Sequence, residues 1–359
     1  MRNASDSPPS NAVKEFWLGA TTPSLLAVTL AFFIPASLLL TALLLITPEF
    51  MVSENFRYLY DRRSNDTDNF VTHKVLSFVP PKGQAVYLFG SSSTREAIHT
   101  EKQLERAIAA HSDQRVNVYN FANAGASFWE TFQVVDRLPK LTNGIVVIEV
   151  RPLHFCRGVD RLREVIESPR LGVTSPMIDS TARANGIQVP RRLGIYAWDN
   201  RRFFLARIPS IPKNLMDPIV VSQSRHLAAE QVDQVTWTDH IEKRTDLLAS
   251  FQQNVADTSK FLKASIRRLK QNDNVQVVLL EATMSPRMKR HDIDRGFWPI
   301  YQNVIADVSN ECDVMYWDIN DSVPESGYLD WAHLRNLDAK SRFADALAKK
   351  VAEQLDATR

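Results

Sequence analysis

Residue types able to do chemistry gather at two places far apart in the chain. The first is Ser91-Ser92-Ser93-Thr94, which follows directly on the apolar run Val86-Tyr87-Leu88-Phe89-Gly90. The second is Asp330-Trp331-Ala332-His333, set between the last β-rich run and a final amphipathic stretch. A serine hydroxyl is a weak nucleophile until a base takes its proton. A hydrogen-bonded imidazole does this, and a carboxylate on the other ring nitrogen fixes the tautomer and stabilises the imidazolium that forms. Asp330 and His333 are three residues apart, so one turn can set the carboxylate against the imidazole while the ring faces outward. Together the two sites spell acyl chemistry, with Ser92, His333 and Asp330 as candidate nucleophile, base and orienting acid. Each alone says less: serines after a strand commonly cap a helix or bind phosphate, and Asp-x-x-His also occurs where a helix is capped beside a surface histidine.

Positioning these groups falls to an alternation of strands and helices. Five short β-rich runs, at 85–89, 116–121, 145–150, 275–280 and 314–319, are almost continuously apolar, as strands buried on both faces require. Helical periodicity marks 101–111, 128–138, 241–270, 293–308 and 337–355. Strand–helix alternation predicts a parallel, doubly wound α/β sheet. Ligands bind such sheets at the carboxyl ends of the strands, which is where Ser91–Thr94 would arrive. Gly90 is expected to permit a tight turn there.

Between the third and fourth strands the rhythm breaks. Residues 157–239 contain Pro169, Pro176, Pro190, Pro209, Pro212 and Pro218 and read as an insertion. Trp198, Phe203 and Phe204 in it would line a lid or a partner surface, or form a small satellite core. At the other end, residues 16–48 carry no charge, and 25–46 give 22 mostly apolar positions. About 20 residues span a hydrocarbon core. The run is longer than the apolar region of a signal peptide and ends without an A-x-A pattern, so an uncleaved anchor is expected, with Pro35 able to kink it. Flanking charges (Arg2 and Lys14 before; Arg57, Arg62 and Arg63 after) tilt slightly towards a cytoplasmic C-terminal domain. Long domains translocate largely regardless of such charges.

Composition excludes several classes. The 359 residues hold 43 Lys+Arg and 41 Asp+Glu, a net charge of +2, so no global field favours nucleic acid. The basic stretches 161–170 and Arg201-Arg202 are interspersed with acids and aromatics and read as solvated faces. Neither GxGxxG nor a P-loop is present, and the eight histidines form no HExxH, so no cofactor and no metal are expected. Cys156 and Cys312 flank opposite strand ends and are expected as unpaired thiols. The first 12 residues are polar and expected to be disordered.

These motifs resemble those of the SGNH (GDSL-type) hydrolases and acyltransferases. Gly90-Ser91-Ser92 is similar to the family's first block, with Ser92 as nucleophile and Ser91 in place of the aspartate. Asp330 and His333 match its last block. Asn123-Ala124-Gly125-Ala126-Ser127 is similar to the second block, which implies oxyanion or substrate contacts from Gly125 and Ser127. The block's glycine falls at Phe128 in direct register or at Gly125 in a shifted one. The third block's asparagine is missing from Val146-Val147-Ile148-Glu149-Val150-Arg151, and Arg151 is the positional candidate to replace it, unless a surface carboxylate satisfies it. An anchor with a Gly-Ser-Ser first block resembles an exported subgroup that includes the DltD protein of teichoic-acid D-alanylation and the alginate-acetylation proteins, which work beside a membrane-bound O-acyltransferase (MBOAT) partner.

The resemblance implies a flavodoxin-like three-layer α/β/α domain in two parts, 84–156 and 240–359, around the insertion 157–239. Ahead of it stand a cytoplasmic N-terminus (1–23), the anchor (24–48) and a linker (49–83). It implies a periplasmic, extracytoplasmic O-acyltransferase that moves an acyl group, an acetyl in the first instance, onto a cell-envelope polysaccharide. A serine esterase with water as acceptor, and an inactive scaffold that docks a membrane partner, are the competing expectations.

Overall fold

The computed structural model describes residues 25–60, 67–216, 247–272 and 274–357. The polar N-terminus, Arg62, Arg63, residues 217–239 of the expected insertion and 241–246 of the expected fourth-strand helix lie outside the described residues.

The five apolar runs form one all-parallel sheet: β1 (Ala85–Phe89), β2 (Asn117–Asn120), β3 (Gly144–Val150), β4 (Val275–Glu281) and β5 (Met315–Trp317), in the order β2-β1-β3-β4-β5. Every residue of β1 and β3 is buried. Alternate side chains point to opposite faces, which explains two separate cores. Val86, Leu88, Val147, Val278 and Leu280 meet Leu104 and Ile108 of α3 (Glu101–His111) and Phe343, Leu347 and Val351 of α7 (Leu337–Asp356). Tyr87, Phe89, Val146, Ile148 and Leu279 meet Phe132 of α4 (Phe128–Arg137), Leu262 and Ile266 of α5 (Leu247–Leu269), and Tyr301 and Ile305 of α6 (Phe297–Cys312). A three-layer sandwich results, with helices covering both faces, as a parallel sheet demands.

The helix expected at 293–308 is in fact broken. Gly296 sits at φ +70° and separates Pro286–Asp294 from α6. Only glycine takes that left-handed conformation without cost, so the periodicity that runs through it marks two helices.

α1 (Leu25–Leu45) precedes the sheet. Its Ala27–Leu45 portion, at mean hydropathy 2.4 and with none of it buried, is long and apolar enough to cross a membrane. A third, small core lies just beyond it. Met51, Phe56 and Leu59 pack against Phe203, with Ile46, Tyr196, Phe204 and Ile211 around them. Residues 157–216 thus fold as short helices of which Phe203 and Phe204 serve a satellite core, whereas Trp198 stays at the surface. Cys156 and Cys312 are both free thiols.

Of the basic stretches, Arg163 pairs with the neighbouring, exposed Asp160, as a solvated face would. Arg161 and Arg170 instead turn inward, to Glu130 and Asp68 respectively. Sequence spacing cannot reveal these partners, because they come from other elements.

Candidate active site

The turn after β1 begins the site. Ser91 caps α2 (Ser92–Ala97), so Ser92 is the first residue of a short helix starting at the carboxyl edge of the sheet. Beneath the turn lies Glu149, fully buried near the end of β3. One carboxylate oxygen, Oε2, accepts from the backbone N–H of Ser91 (2.8 Å) and of Thr94 (3.1 Å). The other, Oε1, accepts from the hydroxyls of Ser91 (2.6 Å) and Ser93 (2.9 Å). Ser91 and Ser93 are therefore buried and committed to Glu149, while Ser92 is partly exposed and points elsewhere.

It points at His333. Ser92 Oγ and His333 Nε2 are 2.9 Å apart, and His333 Nδ1 is 2.6 Å from Asp330 Oδ2. The other Asp330 oxygen accepts from the backbone N–H groups of Ala332 and His333, both at 2.8 Å, which closes the turn and fixes the carboxylate. A bridge between Tyr328 and Leu334 holds the ends of this loop. Its middle is tied to the loop after β4, because Ser285 N–H donates to the Trp331 carbonyl at 2.9 Å. A chain separation of 241 residues is thus closed to hydrogen-bond distance by the sheet, which brings the ends of β1 and β5 to one edge.

Electrostatics set the tautomer. Burial opposes the charge on both Asp330 and His333, but their mutual hydrogen bond and attraction outweigh it, so Asp330 is held below the ordinary carboxylate range and His333 above the ordinary histidine value. The ionised Asp330 then accepts from Nδ1–H, which leaves Nε2 as the acceptor for the Ser92 hydroxyl proton. This geometry allows general-base removal of that proton.

The chain was compared with models of known protein families and with curated proteins. Neither comparison finds a match.

Arg151, at the end of β3, is 5 % exposed. Its Nε lies 3.8 Å from Glu149 Oε1, and its guanidinium sits 5.6 Å from the centre of the Trp331 ring, next to the Asp330–His333 turn. A surface carboxylate is thus not what holds it. Burial raises the Glu149 pKa by itself, but the Arg151 charge and the Ser91 and Thr94 hydrogen bonds prevail and keep the carboxylate ionised. His154, also fully buried and 3.7 Å from Glu149, is pushed down by burial and by Arg151 and stays neutral. A second buried acid, Glu281, accepts from Tyr301 (2.6 Å) and Tyr316 (2.8 Å); burial raises its pKa well above the ordinary value.

The loop after β2 lies against the nucleophile turn, since Asn123 N–H donates to the Gly90 carbonyl at 2.9 Å. Gly125 in it is at φ +65°, and its carbonyl accepts from Arg157 at 2.7 Å. Ser127 has a different occupation from the one expected. It caps α4, and its buried hydroxyl donates to Glu130, whose carboxylate also accepts from the Ser127 N–H at 3.0 Å. Phe128 begins α4 with its ring stacked edge-on against His154 and Phe155. Gly90 also differs from expectation: its φ is not left-handed, and what requires glycine is Glu149, which a Cβ there would approach to 2.5 Å.

Glu149 is the residue that sequence reasoning missed. The available signal was an acid inside a strand whose neighbours are all apolar, a placement that costs several kcal/mol unless the carboxylate is paired and hydrogen-bonded. Among the described residues no group of three or more His, Cys, Asp or Glu side chains is placed to hold a metal ion.

Proposed function

We propose that this chain is a membrane-anchored, extracytoplasmic O-acyltransferase of the SGNH type, with Ser92 as nucleophile, His333 as general base and acid, and Asp330 as the orienting carboxylate. One observation carries the proposal: Ser92 Oγ, alone among the hydroxyls of its turn, lies within 2.9 Å of an imidazole nitrogen whose other side is held by a carboxylate. The strand order 2-1-3-4-5, the serine after β1 and the Asp-x-x-His before the last helix support the family assignment.

In the proposed reaction Ser92 Oγ attacks the carbonyl carbon of an acyl ester while His333 takes the hydroxyl proton. The tetrahedral intermediate collapses, the alcohol leaves with the proton from His333, and an acyl-Ser92 remains. A sugar hydroxyl of an envelope polysaccharide then loses its proton to His333 and attacks the same carbon; the second tetrahedral intermediate expels Ser92 Oγ, which takes the proton back from His333. Oxyanion stabilisation is assigned to the backbone N–H of Ser92 and of a residue near Gly125, with Arg151 as the nearby cation. Loss of one such donor typically costs about 10²–10³-fold in rate. The anchor is read as α1, with the N-terminus cytoplasmic, the domain periplasmic, and an MBOAT-type protein in the membrane as acyl source.

Intact-mass analysis after exposure to a fluorophosphonate tests the nucleophile. One adduct is expected on the wild type and none on Ser92→Ala or His333→Ala. An adduct that survives Ser92→Ala removes Ser92 from the mechanism. Acyl donor and a glycan acceptor supplied together then separate the outcomes: acylated glycan supports transfer, free acid alone makes the chain an esterase, and no turnover favours a scaffold.

A further inference from the structure

We propose that the face formed by residues 193–216 lies on the bilayer that holds α1, seated at the headgroup–acyl boundary. The inference rests on the reading of α1 as a membrane anchor and goes beyond it, because an anchor alone leaves the orientation of the domain free.

The segment is fixed where the chain leaves α1. Ile46 packs at the small core of Met51, Phe56, Leu59 and Phe203. Asn214, itself buried, donates to the carbonyls of Tyr58 (3.0 Å) and Tyr60 (2.7 Å), and the helix Tyr196–Asp199 lies beside α1. Whatever surface this segment presents therefore stands at the membrane whenever α1 is within it.

That surface is apolar. Residues 201–216 run as consecutive short helices, Arg201–Arg207, Ile208–Ser210 and Ile211–Met216. Phe203, Ile211 and Asn214 face inward, at helical spacing, onto the small core and the linker. Leu205, Ile208, Leu215 and Met216 form a second stripe, exposed at 61 %, 50 %, 60 % and 82 %. A segment apolar on both faces is stable only when both are covered. Leu193 and Trp198, earlier in the same segment, are exposed as well. Of the basic residues in 191–216, Arg192 pairs with Asp179, Arg202 donates to the Ile166 carbonyl and Arg207 turns inward to Asn69 and Asp68, which leaves Arg191, Arg201 and Lys213 beside the single acid of that stretch, Asp199. Arg201 stacks 4.7 Å over the Trp198 ring. Tryptophan beside arginine at the rim of an apolar stripe is the composition of a headgroup-level contact, and basic residues there attract anionic lipids.

The test uses the full chain in vesicles of three parts phosphatidylcholine to one part phosphatidylglycerol, with and without bromines on the acyl chains. Flotation after an alkaline wash is measured first, then the emission of Trp198, taken as wild type minus Trp198→Phe. The proposal expects bromolipid to remove half or more of that emission, and Leu205→Asp with Leu215→Asp to restore it while fluorophosphonate labelling of Ser92 is unchanged. Flotation with Trp198 unquenched overturns this inference alone and assigns the face to a protein partner or to residues 217–246. Failure to float overturns the anchor reading, and the inference with it.

Discussion

Glu149 and Gly90 are in such close contact that a single added methyl group on Gly90 would fall 2.5 Å from both Cβ and Oε2 of Glu149. The carboxylate so approached is the one that collects the N–H groups of Ser91 and Thr94 and the hydroxyls of Ser91 and Ser93. Ser92, which takes no part in this cluster, is left to face His333.

Gly90→Ala is therefore expected to displace the Glu149 carboxylate rather than to strain a backbone angle. Overpacking of this kind costs about 1–3 kcal/mol. The observable is a fluorophosphonate labelling rate at Ser92 that falls together with the melting temperature. An unchanged labelling rate would mean that Glu149 does not position the turn.

Glu149 and Arg151 should behave as a unit. Removing one partner of a buried charge pair leaves the other uncompensated, at a cost of about 3–5 kcal/mol. Glu149→Gln and Arg151→Met are each expected to destabilise strongly, and the double variant to lose clearly less than the sum. Denaturant midpoints of the four proteins of the cycle give the coupling; additive losses would show the pair to be independent.

The pH dependence of acylation follows from His333. In the proposed mechanism Ser92 is activated only when His333 is neutral, and Asp330 holds the His333 pKa above its ordinary value. The labelling rate should rise with pH to a plateau, its midpoint above the ~6.5 of an unperturbed histidine. Asp330→Asn removes the attraction that raises it, so the midpoint moves down, and the plateau drops by roughly 10³–10⁴-fold. A midpoint that stays put in that variant argues against the Asp330–His333 pair.

Acid should destabilise the fold earlier than its carboxylates alone require. His154 is buried and neutral, with its folded pKa depressed by burial and by Arg151. The unfolded chain binds a proton here below about pH 6.5 and the folded chain does not, so stability falls as pH drops from there towards the depressed folded pKa. Glu149, depressed as well, adds its own loss below about pH 4.5. Unfolding midpoints between pH 7 and 5 should slope in the wild type and flatten in His154→Gln.

The sequence by itself determined the sheet and its partners' order of appearance. Strands buried on both faces must be apolar throughout, and so β1 appears with its own boundaries and β2, β3 and β4 within a residue or two of theirs. It also placed Asp330 against His333, because three residues in a turn suffice for that contact. Tertiary structure decided the rest. Which of Ser91, Ser92 and Ser93 meets the histidine depends on a carboxylate from β3, 56 to 58 residues away in the chain. That Ser127 caps a helix, and that Arg151 rests between Glu149 and Trp331, depends likewise on groups brought from other elements. Local periodicity reports which side of an element is buried, whereas a hydrogen bond to a distant strand has no period and becomes legible only when the sheet closes.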